Sequence, residues 1–222
     1  MRSLRRHFPF FGLFAAGLFL AAGLLLSGCD GGGGGPLDPG APEMCSGFAD
    51  WETSPYVLPY PVGLSYFVDQ ANCSSFGHSG YYRYGYDFLM DIGTPVTAAR
   101  AGVVLFTAEH TEDGDRSGTN LLTVEHADGT VALYSHLTRG GVLVEVGDVV
   151  STGQRIGLSG NTGNTGGTPH LHFSVHECGD LQGLPGVVGL GPCPTRPVTF
   201  RNAEANPAGL TAKRSYEALP YG

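Results

Sequence analysis

Lysine is all but missing from this 222-residue chain: its one lysine stands at position 213, and, histidines aside, every other basic side chain is an arginine. The stretch "VEVGDVVSTGQRIG" has the outline of a lipoyl- or biotin-carrier motif, but such a carrier needs a modifiable lysine at a hairpin tip. That function is excluded. Basic charge is scarce too, with 12 Lys+Arg against 20 Asp+Glu and a net charge of −8. Three of those basic residues (Arg2, Arg5, Arg6) and no acidic ones lie in the first 29, so the remainder has nine against 20, a net −11. A nucleic-acid partner wants a basic face and is not expected. No pair of cysteines is spaced Cys-x-x-Cys, which argues against a thiolate zinc site or a redox motif. No His-Glu-x-x-His occurs, so a helical zincin site is excluded, and "HECG" at His176 does not extend into one. No window sustains a helical period.

Glycine (36) and proline (15) are abundant and separate short apolar runs. That pattern predicts an all-β fold, a compact antiparallel domain with few or no helices. "YGYDFLM" is apolar around one carboxylate. "GTPVTAARAGVVLFTAEH" is two runs broken at Ala101-Gly102. "NLLTVEHADGTVALYSHL" reads as a hairpin turning at Asp128-Gly129. "GVLVEVGDVVSTGQRIGLSG", "HLHFSVHE" and "RPVTF" supply further strands. The expected organisation is a leader over 1–28, a tether over 29–44, a lead-in over 45–78, the main domain over 79–200 and a tail over 201–222.

The N-terminus reads as an address. A basic "MRSLRRH" precedes the apolar "FPFFGLFAAGLFLAAGLLL", the order of a secretory signal. "LSGC" at Leu26–Cys29 resembles a bacterial lipobox, which implies cleavage before Cys29 and lipidation of its thiol. An uncleaved transmembrane anchor is the alternative, since the run is nearly long enough to span a bilayer. The following "DGGGGGPLDPGAPEM" has the composition of a flexible tether with a reach on the order of 20 Å. The folded part is thus expected in the cell envelope, held to a membrane and facing the periplasm or exterior. The four remaining cysteines suit an oxidising compartment. Three pairings are possible, and the shortest loops favour Cys45–Cys73 and Cys178–Cys193. The second closure would contribute about 3 kcal/mol.

The chemistry is carried by histidines and one aspartate. His170 and His172, two apart in a strand, share a face. Asp87 lies between Tyr86 and Phe88 in a stretch that wants burial, and a buried carboxylate must be paired or coordinated. The plain alternative is a carboxylate taking backbone N–H bonds at a turn. His136 in "LYSHL" ends a hairpin strand, where side chains can face a cleft. The glycine-rich "SGNTGNTGGTP" before His170 could let a substrate backbone approach closely.

"YGYDF…GTPVTAARAGVV", "LYSHL", "VGDVVSTGQRIGLSGNTG" and "TPHLHFSV" resemble, in order and spacing, the lysostaphin-type (LytM-type) zinc metalloendopeptidases. The likeness covers roughly Ser79 to Val175. It implies a duplicated-hybrid-motif β domain, one Zn2+ per chain, and cleavage of peptide cross-links in bacterial peptidoglycan. Asp87 and His172 are then implied zinc ligands, with His136 and His170 the catalytic pair. The family's first motif is His-x-x-x-Asp, yet its histidine position holds Arg83, which has no lone pair to give. Either the metal site is broken or another histidine serves. His78, nine residues before Asp87, is the nearby choice, and a subset of the family has this longer spacing. "SGYYR" would then fold over the metal, with Gly80 permitting the bend. A module that has lost catalysis and instead binds and activates a cell-wall amidase is the competing reading. His110 and His126 are expected at strand ends in solvent, and His176 at the periphery.

Overall fold

The computed structural model describes residues 45–74, 77–177 and 193–222. The signal-like leader, Cys29, the tether to residue 44, and Cys178 with the loop after it lie outside the described residues. Among the described residues the one helical element is a 3-10 turn, Gly80–Tyr82. The rest of the regular structure is strand: β1 Ser65–Gln70, β2 Tyr86–Leu89, β3 Pro95–Thr97, β4 Gly102–Ala108, β5 Leu121–Glu125, β6 Val131–Ser135, β7 Leu137–Val142, β8 Val149–Val150, β9 Arg155–Ser159, β10 His170–His176 and β11 Arg214–Glu217. All pairings between these strands are antiparallel. The all-β expectation holds.

Eight strands form one sheet in the order β11-β1-β2-β10-β6-β5-β4-β8, and β3-β9-β7 form a second. The period of two divides the large sheet into faces with different jobs. On one face Phe88, Leu171, Phe173, Val175, Ala132, Tyr134, Leu122 and Val124 join the main core. The intervening residues, Asp87, His170, His172 and Ser135, emerge on the other face beside a small apolar pair, Leu121 and Leu133. Hydrophobic burial on the first face therefore fixes which polar side chains stand together on the second. A one-residue slip of β10 would exchange Leu171 and Phe173 for the histidines.

The lead-in and the tail each give a strand to this sheet, since β1 pairs with both β2 and β11. Tyr60 locks the arrangement: its ring packs edge-on against Phe88 and its hydroxyl donates to the Tyr216 carbonyl. The hairpin between β5 and β6 turns at Asp128-Gly129 as its sequence predicts, with Gly129 at φ 78° and Asp128 accepting from Thr130. "RPVTF" does not become a strand. Its backbone groups are spent elsewhere: the carbonyls of Val198 and Thr199 accept from Tyr86 and Ser54, and Phe200 N–H donates to Asn206. One bridge, His176 to Thr195, is the ladder contact at its edge.

Cys45 and Cys73 form a disulfide across 28 residues. Cys193 is also disulfide-bonded. The first bridge holds the chain immediately before His78, and Cys73 N–H donates to the Arg83 carbonyl 2.6 Å away. Loop-closure entropy for this span comes to roughly 3.5 kcal/mol. A Cys45→Ser/Cys73→Ser variant should accordingly melt about 10 °C lower by calorimetry. An unchanged midpoint would show that the lead-in is anchored without the bridge.

Candidate metal centre and catalytic cleft

The cluster is assembled by register. Asp87 on β2 stands directly opposite His172 on β10, and His172 stands opposite Ser135 on β6. Residues paired in this way project to the same side. His170 follows two positions before His172 on the same face. His136 comes just after β6 at φ 65°, a left-handed conformation uncommon for a side chain of this size. Such strain collects at functional sites, where the surroundings hold the residue in place.

His78 completes the group from the lead-in. Its Nε2 lies 3.3 Å from Asp87 Oδ1, while His172 Nδ1 lies 2.8 Å and His170 Nε2 3.8 Å from the same oxygen. The His78 and His172 rings are 5.2 Å apart, and those of His136 and His170 are 4.7 Å apart. One ligand atom each from His78, Asp87 and His172 falls within 4.8 Å of the others. Gly80, at φ 58°, makes the bend that leads from His78 into the 3-10 turn. The five-residue excursion thus brings His78 back to Asp87. Arg83 sits in the same excursion with its guanidinium 5.7 Å from the Tyr84 ring centroid.

Tautomers are set from behind. His78, His136 and His170 each donate Nδ1–H to a backbone carbonyl, of Ala71, Thr162 and Thr168, at 2.9, 2.7 and 2.8 Å. A carbonyl can only accept, so the proton is on Nδ1 and each Nε2 presents a lone pair. Burial alone would raise the Asp87 carboxyl, but the hydrogen bond from His172 and the close approach of the His78 imidazole outweigh it and hold the group well below the usual range. His78 is resisted by burial and raised overall by that carboxylate. Burial lowers His172 despite its bond to Asp87. Burial, with the neighbouring His170 and His172, pushes His136 down to about 3.

Two imidazoles and one carboxylate are the donors of a zinc-type site. The space around them is reserved as well: a Cβ on Gly85 would stand 3.1 Å from His172 Cε1 and 3.3 Å from His78 Nε2. The donor set and this clearance both fit a small divalent cation held by three side chains.

Several contributors were not legible in the sequence. Gln70 Nε2 donates to Asp87 Oδ2 at 3.0 Å, and Ser74 in turn donates to Gln70 Oε1. Gln70 faces the site because β1 slips register between Val68 and Gln70, a bulge that re-aims the strand. Nothing in "FVDQAN" announces that bulge.

Two other histidines depart from expectation. His126, expected in solvent, is buried, donating Nδ1–H to the Ala101 carbonyl with Nε2 left without a partner. His176, expected at the periphery, is buried as well, bonded to the Cys193 carbonyl and to Ser174. Both belong to packing. His110 is exposed, as expected.

His126 gives a pH test. Burial, with Arg100 nearby, lowers its pKa to about 4, below the ordinary value of 6.5. Above about pH 6.5 it is neutral in both folded and unfolded chains and has no effect. Between 6.5 and 4 only the unfolded chain takes the proton, so stability falls across that window and levels off below it. Urea midpoints of the parent should drop from pH 6.5 to 4 more steeply than those of His126→Gln. Parallel curves would remove His126 as the cause.

Two cavities meet at the cluster. One, of about 440 Å³, is lined by His78, His136, His172, Leu121, Leu133 and Asn164 among others. The second, of about 590 Å³, lies toward Asp69, Leu89 and Lys213. Gln70, Asp87, Thr165, Gly166 and His170 line both, so the two form one groove across the site. The glycine-rich loop therefore does border the cleft.

A family model described as Peptidase family M23 matches residues 81–183. Peptidoglycan DD-endopeptidase ShyA of Vibrio cholerae is 45% identical over 91 residues, 41% of this chain and 19% of that protein. Lysostaphin of Staphylococcus simulans is 36% identical over 115 residues, 52% of this chain and 19% of that protein. The solved catalytic domain of lysostaphin from Staphylococcus simulans is 34% identical, aligned over 55% of this chain and 76% of that one, with a TM-score of 0.37. The chain spans about a fifth of the length of these curated relatives.

Proposed function

Because the chain belongs to peptidase family M23 through its residues 81–183, we propose that it is an exported, lipid-anchored zinc metalloendopeptidase acting on peptide cross-links of bacterial peptidoglycan. The observation that carries the reading is the convergence of His78, Asp87 and His172 within 4.8 Å beside the His136–His170 pair. His78, Asp87 and His172 hold the metal in this reading, leaving the remaining position open as a catalytic site requires. Bound zinc would acidify a water toward neutrality and polarise the scissile carbonyl. His136, neutral above about pH 3, offers its Nε2 lone pair to the proton of the attacking water. His170 presents a second Nε2 lone pair to the same space, and whichever imidazole has taken the water's proton then supports the oxyanion as imidazolium and returns that proton to the leaving amine. Gln70 and the Ala71 carbonyl orient Asp87 and His78 from behind.

The amidase-activator alternative is the weaker one, because such a module has no use for two tautomer-fixed histidines beside a complete donor set. Lipid anchoring rests on "LSGC" and its flanking leader. One preparation tests the whole reading: protein extracted from membranes, analysed for intact mass and zinc, then incubated with defined cross-linked muropeptides. A chain beginning at an acylated Cys29, one zinc per chain, and release of un-cross-linked peptides are expected. Zinc-free protein that only stimulates an added amidase would overturn the catalytic part, and a soluble chain cut elsewhere would overturn the anchor.

A further inference from the structure

The chain's single lysine, Lys213, lies outside the residues matched by the family model and yet lines the groove with Asp87 and His170. It is one of three non-glycine residues among those described with positive φ, at 64°, a conformation that favours glycine or asparagine. Its backbone N–H is fixed to the Val68 carbonyl at 2.7 Å, so the turn is built into the sheet edge. A long cation is held where a glycine would be easier. The bulge in β1 presents the partner: Asp69 is the extra residue between Val68 and Gln70, and its carboxylate pairs with Lys213 Nζ. Asp69 and Gln70 consequently line one cavity, Asp69 meeting the lysine while Gln70 meets Asp87.

We propose that Lys213, poised by Asp69, reads a carboxylate on the peptide that occupies the groove, so that the chain's terminal additions supply a substrate subsite to the M23 domain. The inference rests on the peptidase reading given above. The lysine side chain is the more accessible member of the pair, 67% exposed against 39% for Asp69, so an incoming anion meets the ammonium first. An ammonium has three donors, and Asp69 engages it from one side. The ligand class is a peptide with a free carboxylate near its scissile bond, as opposed to the same peptide amidated.

The test is a binding measurement on the zinc-loaded full chain in detergent. The probes are a peptidoglycan stem tetrapeptide with free carboxylates and its fully amidated counterpart. Lys213→Met should weaken binding of the free acid about threefold to fivefold, the range for a single exposed ion pair, and leave the amide unchanged. Asp69→Asn, which releases the ammonium, should tighten the free acid. Equal loss for both peptides, or no loss for either, overturns the subsite. Acid-selective binding without any cleavage of peptidoglycan would remove the peptidase reading and leave the subsite standing; cleavage with no such selectivity would do the reverse.

Discussion

His78→Ala is expected to lose zinc and hydrolysis together, while Arg83→Ala keeps both. The contrast is large because the two residues do different work within one short excursion. His78 is buried, its Nδ1 is committed to the Ala71 carbonyl, and its Nε2 stands 3.3 Å from Asp87. Removing it takes away one of three donors, and the neighbouring carboxylate loses a partner at the same time. The fall in zinc affinity should exceed the 10–100-fold that loss of an outer-sphere partner brings. Gln70→Leu, which strips the hydrogen bond to Asp87 Oδ2, provides that outer-sphere reference within the same protein. Arg83 stacks on Tyr84 and offers no lone pair, so its truncation changes packing more than coordination. Zinc content by mass spectrometry under native conditions, with hydrolysis measured on the same samples, decides the matter. Full occupancy in His78→Ala would remove this ligand assignment and make a non-catalytic module the better account.

The second large effect separates chemistry from binding. His136→Ala and His170→Ala should each lower kcat by about 10²–10⁴-fold, the usual contribution of a positioned acid or base. Zinc should stay bound, because neither residue belongs to the group of three donors. The two rings touch at 4.7 Å and act on one reacting centre, so the double variant should fall little further than the worse single one. Additive losses would indicate separate roles on separate steps. Variants that digest peptidoglycan at the parent rate would end the catalytic reading.

The sequence by itself determined the local pattern. Alternation in "HLHFSV" put Leu171 and Phe173 on one side and the two histidines on the other, because burying an apolar face fixes the register. Asp128-Gly129 determined its hairpin through the backbone angles that turn demands. Asp87, a carboxylate between two aromatics, already had to meet a partner.

What only the tertiary structure decided is everything that depends on which distant segments become neighbours. Gln70 reaches Asp87 through a bulge set by the pairing of β1 with β2, and Lys213 reaches the groove because β11 closes on β1. "RPVTF" has the residues of a strand, but Tyr86, Ser54 and Asn206 engage the backbone groups a ladder would use. His126 looked solvated at a strand end until the lead-in covered it, with the Tyr56 ring 5.6 Å away. Periodicity reports which face a side chain takes. It carries no record of what long-range packing later lays on that face, because that depends on the closure of loops tens of residues long.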